Sequence, residues 1–180
     1  MTAVARWPLP TRILHWLGAA AILFMLALGF AMVNLVDEPG RRFDLYQLHK
    51  TLGIFVLALM LARIAWRFAS ATPAPIATIP SWQNRAAQAM HVLLYALTIA
   101  LTLAGYAMIS ASPLPLPVAL PFGFHVPNLF APDYALSERF KQVHHGLAAI
   151  LAVCLVGHVV AALKHRFVDR DGTLRRMSLL

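Results

Sequence analysis

Long uncharged runs alternate along this sequence with short segments that collect the charged residues and the prolines. No charged residue occurs from residue 13 to residue 36, and further apolar runs cover about residues 48–68, 86–109 and 143–163. A helix needs about 20 apolar residues to cross the hydrocarbon core of a bilayer. The pattern therefore predicts four transmembrane helices, the first of which is too long for the apolar core of a cleaved leader.

The composition agrees with a membrane protein, because 60% of the 180 residues are hydrophobic and only 12% are charged. The net charge of +8 would suggest nucleic acid in a soluble protein. In a protein with four apolar spans, this charge indicates instead that basic residues anchor the ends of the helices at the cytoplasmic side. No nucleic-acid partner is therefore expected. Cys154 is the single cysteine, so it forms no internal disulfide, and the sequence has no C-x-x-C-H motif for covalent haem attachment. We expect one all-α domain over residues 1–180, an integral membrane four-helix bundle.

The basic residues fall unequally on the two ends of this predicted bundle. Ten lie at the end that carries both termini, and five lie at the other end, where five acidic residues accompany them. Because cytoplasmic segments are enriched in Lys and Arg, we predict that both termini are cytoplasmic. The four tryptophans map to that same end, as an interfacial aromatic belt requires: Trp7, Trp16, Trp66 and Trp82.

The segment 110–141 is the one long connection between predicted spans. Six prolines exclude a continuous helix there: Pro113, Pro115, Pro117, Pro121, Pro127 and Pro132. Because the segment is nevertheless apolar, we expect it to lie on the outer membrane face and to cover the mouth of the bundle. A short helix is predicted to begin at about Tyr134 and to lead into the fourth span.

The histidines of the spans fall at two depths once the topology is assigned. His49 and His144 lie at the outer level, and His15, His91 and His158 lie at the inner one. Fourteen residues separate His144 from His158, which is about 21 Å of helix and brings the two side chains within about 40° of each other. The neighbouring His145 is expected to point to nearly the opposite side of the helix. His125 in the loop and His165 in the basic tail are expected to be interfacial.

Paired imidazoles from facing helices are the ligands that hold haem iron inside a helix bundle. Zinc would need three or four ligands at one level, and no acidic residue lies inside any span. The outer level supplies the pair His49 and His144, whereas the inner level leaves three candidates open. The alternative is that these histidines are scattered polar residues, each hydrogen-bonded to a neighbouring helix.

Four segments follow one another along the chain, "RILHW", "LHKTLGIFVLALMLARIAWR", "HVLLYAL" and "FGFHVP", and His144 and His158 are 14 residues apart. Together they resemble the bacterial cytochrome b561 family, whose members are four-helix, dihaem proteins of the cytoplasmic membrane. The likeness covers nearly the whole chain. It implies that the inner haem b is held by His15 and His158, and the outer haem b by His49 and His144.

The resemblance implies an electron path linked to a quinone and, for some members, superoxide:ubiquinone oxidoreductase activity. Two alternatives are a cytochrome b relay that serves a periplasmic dehydrogenase or soluble redox partner and, more remotely, a haem-free membrane structural protein. Arg63 lies 14 residues after His49, and we predict that it neutralises a haem propionate or a quinone anion. His91 is predicted to lie beside the quinone site and to supply protons. Basic residues at the outer end could steer a small anion such as superoxide, and the alternative is that they are ordinary solvated loop residues: Arg41, Arg42, Lys50, Arg139 and Lys141.

Overall fold

Four long helices dominate the computed structural model, which describes residues 5–114 and 116–179. They are α1 (Leu9–Asn34), α2 (Pro39–Ala69), α3 (Ser81–Ser110) and α4 (Tyr134–Lys164). All four are long and apolar enough to cross a membrane, which confirms the predicted number of spans. Each helix is longer than its apolar run, because polar residues continue the helix beyond the hydrocarbon at one or both ends.

Side chains and prolines at the helix boundaries explain where two of these elements begin. The Glu38 carboxylate accepts hydrogen bonds from the backbone N–H groups of Arg41 and Gly40, and Pro39 occupies the first helical position of α2. These hydrogen bonds lower the pKa of Glu38 below its usual value. Asp133 caps α4 by accepting from the N–H of Leu136 at 3.0 Å. The helix predicted to begin at about Tyr134 is therefore the first part of α4.

A narrow apolar core joins the four helices at mid-height, and their outward faces are also apolar. The core consists of Ile22, Val56, Met60, Leu97 and Leu151. Phe30 and Val153, by contrast, are 61% and 74% exposed on the outside of the bundle. In water such a surface would be costly, whereas lipid solvates it. The distribution is that of a bundle surrounded by hydrocarbon.

The long connection after α3 folds over one end of the bundle, which we call the loop end. It contains a small antiparallel hairpin of β1 (Val118–Ala119) and β2 (His125–Val126), which the sequence did not predict. Thr51 on α2 donates a hydrogen bond to the carbonyl of Ala119 at 2.8 Å, so the hairpin lies against α2. The expected cover over the mouth of the bundle stays a prediction.

The first and last described segments meet at the opposite end, which we call the terminal end. After a π-helical turn (His165–Asp169), a short 3-10 helix (Leu174–Met177) folds back beneath the start of α1. Arg176 is only 9% exposed and donates to the carbonyls of Ala5 at 2.9 Å and Ala74 at 2.7 Å. This arginine therefore joins the N-terminal, α2–α3 and C-terminal segments, a role that the sequence analysis did not assign.

Candidate cofactor sites

Two histidines from different helices face each other near the loop end. The ring centres of His49 on α2 and His144 on α4 lie 6.3 Å apart. The Nδ1 atom of His144 lies 2.9 Å from the carbonyl oxygen of Leu101. Because a carbonyl only accepts, Nδ1 carries the proton, and Nε2 keeps a free lone pair. A partner of this kind typically orients a metal-binding imidazole.

Two glycines make room for this loop-end pair. A Cβ atom on Gly105 of α3 would lie 2.9 Å from Nδ1 and Cε1 of His144, too close for any real contact. On Gly29 of α1, a Cβ atom would lie 3.3 Å from Cε1 of His49. Glycine inside a helix costs about 1 kcal/mol relative to alanine, so a local reason for it is expected. Here the reason is the close approach of an imidazole, a role that the sequence analysis did not assign.

A cavity of about 860 Å³ surrounds the loop-end pair and is lined by all four helices. Its deep part is apolar, with Ile22, Val56 and Leu151 among the lining residues. Arg42, Lys50, Lys141 and His145 line it as well, and the first three bring positive charge. Ligand pockets in proteins commonly enclose about 300–1,000 Å³. The combination suits an apolar macrocycle that carries anionic side groups.

A second group of histidines lies near the terminal end. The ring centre of His158 on α4 is 6.3 Å from that of His15 on α1 and 5.6 Å from that of His91 on α3. All three candidates of the inner level are therefore adjacent, and ring distance alone does not choose between His15 and His91 as the partner of His158. His91 differs in that it is exposed on the side of the bundle.

Arg63 of α2 lies inside the bundle at this level. Its Nη2 atom is 2.8 Å from Nδ1 of His15, and its guanidinium carbon lies 5.1 Å from the ring centre of Tyr95. Arginine has no acceptor atom, so Nδ1 of His15 accepts this hydrogen bond and the proton of the ring sits on Nε2. For His15 to bind a metal through Nε2, the ring proton has to move from Nε2 to Nδ1. The hydrogen bond from Arg63 to Nδ1 then has to break. The guanidinium would then be free for another anion or acceptor.

The ring separations fit a metal held between two imidazoles. With metal–nitrogen bonds of about 2.0–2.1 Å, two imidazoles on opposite sides of one ion have ring centres about 6.2–6.4 Å apart. Both His49–His144 and His15–His158 have that separation. Within the described residues, the buried Nδ1 of His49 also has no hydrogen-bond partner. The loop-end pair and its cavity therefore fit a bis-histidine haem, and the His15–His158 separation fits a second metal held between two imidazoles.

The remaining histidines lie outside these pairs. His145 is exposed, and its ring centre is 6.3 Å from that of His144 at the edge of the same cavity. His125 is exposed in β2. His165 lies in the turn after α4, with Nδ1 2.5 Å from Asp171 Oδ2. With Asp169, these two residues form a group whose three ligand atoms all lie within 4.8 Å of one another, the one group that close among residues 5–114 and 116–179.

A four-helix membrane bundle with facing imidazole pairs at two depths has the architecture of a membrane-bound cytochrome of the b type. The chain belongs to the prokaryotic cytochrome b561 family, whose model it matches over residues 6–178. It is accordingly a membrane electron-transfer protein, and its family implies b-type haem.

Relatives of known name support the same family. Cytochrome b561 homolog 2 of Escherichia coli (strain K12) is 37% identical over 164 residues, which cover 91% of this chain and 86% of the relative. Cytochrome b561 homolog 1 of the same organism is 30% identical, with 91% and 92% covered. The probable superoxide oxidase CybB of Yersinia pestis is 29% identical, with 91% and 90% covered.

Proposed function

We propose that this chain is a dihaem superoxide:ubiquinone oxidoreductase of the bacterial cytoplasmic membrane, with both termini in the cytoplasm. His49 and His144 would hold the outer haem b, and His15 and His158 the inner one. The observation that carries the proposal is the equal ring separation of 6.3 Å in the two pairs. His144 and His158 lie on the single helix α4, so the two proposed sites would lie one above the other along this helix.

When bound, the haems supply reversible one-electron carriers at two depths of the bilayer. Each haem would be held by two histidines, an arrangement that would favour electron transfer over oxygen chemistry. The tasks of this chain are to hold the carriers in line, to bring a donor to one end and to deliver protons with the electrons at the other. A one-electron donor on the outside and a quinone in the membrane match such a path.

Positive charge beside the loop-end cavity supports an anionic donor such as superoxide. Arg42 lies 3.6 Å from Asp37, and Lys141 lies 3.2 Å from Glu138, so nearby carboxylates compensate these two cations. Lys50 is within 3.4 Å of the carbonyl oxygen of Leu116, and no carboxylate among the described residues pairs with it. We therefore assign to Lys50 the largest share in attracting a small anion toward the loop-end pair.

His91 and Arg63 are suited to assist a quinone at the terminal end. His91 is exposed, so a quinone diffusing in the membrane could reach it. Its ring lies beside that of His158, so an acceptor there would be close to the inner carrier. Quinone reduction takes up protons, and an imidazole can donate one. Arg63, once it has released His15, would stabilise a propionate or a negatively charged quinone.

Anaerobic reduction of the purified protein tests this function. Superoxide added to the oxidised protein should reduce the haem, and ubiquinone added afterwards should reoxidise it. His49→Ala should abolish reduction by superoxide, whereas the exposed-site variant His125→Ala should leave it intact. A protein that is reduced only by a periplasmic redox partner, and never by superoxide, would instead be an electron relay.

A further inference from the structure

Three arginines surround a cavity of about 310 Å³ in the turn that follows α4. Arg170 and Gly172 have φ values of +52° and +84°, which reverse the chain direction after the π-helical turn. The reversal places the 3-10 helix back against the end of α4. The cavity is lined by Arg166, Phe167, Arg170, Gly172, Leu174 and Arg175.

The carboxylates of this segment already have cationic partners. Asp169 lies 2.5 Å from Lys164, and Asp171 lies 2.5 Å from His165. In the part of the chain that the structure describes, no carboxylate pairs with Arg166, Arg170 or Arg175; the guanidinium of Arg170 has one contact, from Nε to the carbonyl of Phe167 at 3.3 Å. The cavity is therefore electropositive and its charge is uncompensated by the surrounding side chains.

The cavity lies at the depth of the membrane surface. Trp16 on α1 donates from Nε1 to the carbonyl oxygen of Met177 at 2.8 Å, which ties the 3-10 helix to a tryptophan of the interfacial belt. Phe167 and Val168 are 65% and 73% exposed and continue the apolar outer face of α4 past its last turn. Positive charge and exposed apolar side chains thus adjoin at the level of the lipid headgroups.

We propose that this cavity binds the phosphodiester headgroup of an anionic phospholipid, with an acyl chain lying along Phe167 and Val168. Guanidinium groups bind phosphate oxygens bidentately, and basic pockets at the ends of membrane helices recognise anionic headgroups. Arg176 fixes the segment to Ala5 and Ala74, so little ordering is needed on binding. A free phosphate would contact the same arginines but would make no contact with the exposed side chains of Phe167 and Val168.

Native mass spectrometry of the haem-loaded protein, titrated with phosphatidylglycerol or phosphatidylcholine of the same acyl chains, tests the proposal. The test variant is Arg166→Gln/Arg175→Gln. The matched control is Arg6→Gln/Arg85→Gln, which removes two charges from the same end but outside the cavity. At about 1 kcal/mol for each basic residue, the test variant should bind phosphatidylglycerol about 30-fold more weakly, and the control less than about threefold more weakly.

Three results would overturn the proposal: equal binding of the two lipids by the unaltered protein, equal weakening in both double variants, or displacement of phosphatidylglycerol by millimolar inorganic phosphate. The last would identify a soluble anion as the ligand. If the test variant loses its haem spectrum, Arg166→Gln and Arg175→Gln are compared separately, each expected to weaken binding about fivefold. An effect below twofold in both would also contradict the proposal.

Discussion

The ring centres of His49 and His144 lie 6.3 Å apart, and those of His15 and His158 are separated by the same distance. In each case one partner is on α4 and the other on a facing helix. That repeated relationship distinguishes these four histidines from His125 and His165, and it underlies the predictions that follow.

Gly105→Ala should lose the loop-end haem. The added Cβ would lie 2.9 Å from two ring atoms of His144, so the ring has to move and its hydrogen bond to Leu101 is broken. Gly146→Ala is the matched control, since a Cβ there meets nothing within 4 Å. The haem-to-protein ratio, measured from the reduced absorption band, should fall to about half in Gly105→Ala and stay unchanged in Gly146→Ala. Equal ratios in the two variants would contradict the account.

Gly29→Ala should have a milder effect than Gly105→Ala. Its Cβ would approach Cε1 of His49 to 3.3 Å, a contact that a shift of a few tenths of an ångström relieves. We expect both haems to be retained and the thermal stability of the loop-end haem to decrease. This stability is measured by recording the absorption spectrum while the protein is heated. A larger haem loss in Gly29→Ala than in Gly105→Ala would contradict the prediction that the added Cβ disturbs His144 more than His49.

His91→Gln should keep both haems and slow ubiquinone reduction by about 100-fold or more, because general acid catalysis commonly contributes about 10²–10⁴-fold. His15→Gln should instead lose one haem, because His15 and not His91 is proposed as the ligand. Haem content and quinone turnover are measured on the same preparations. Loss of a haem from His91→Gln would reassign the ligand, and unchanged turnover would give His91 a purely structural role.

Arg63→Gln should lower the reduction potential of the inner haem. A nearby positive charge stabilises the reduced, less positive cofactor, so removing it should lower the potential by on the order of 50 mV. Arg63→Lys keeps the charge and is the control for the change in shape. A redox titration followed optically measures the potential in both variants. An unaltered potential in Arg63→Gln would show that the guanidinium does not influence the iron.

The contribution of Asp171 to stability should depend on pH. Burial raises the pKa of Asp171, but hydrogen bonds from Thr173 and His165 outweigh burial and hold the pKa below its usual value. A carboxyl with a lowered folded-state pKa stabilises the fold at neutral pH, and this stabilisation is lost as the pH falls through that pKa. Asp171→Asn should therefore lower the melting temperature by about 2–4 °C near pH 7 and by less in acid. A constant difference across pH would contradict this.

The sequence predicted the features that depend on local pattern. Hydropathy gave the four spans, and helical geometry gave the two depths of His144 and His158. Features that depend on how the helices are rotated and packed were not predicted. To predict the contact of Gly105 with His144, the distance between α3 and α4 has to be known. To predict that His91 lies beside His158, the rotation of the two helices about their axes has to be known as well. The burial of Arg176 also escaped prediction, since nothing in a basic tail indicates that one arginine will find backbone carbonyls from two distant segments.

The ratio of haem to polypeptide in the unaltered protein, His49→Ala and His15→Ala tests the central claim most directly. We predict a ratio of two for the unaltered protein and one for each variant, with a different haem spectrum retained in each because different sites survive. A ratio that stays at two in His49→Ala, or identical residual spectra in the two variants, would contradict the assignment of separate haem sites at the two depths.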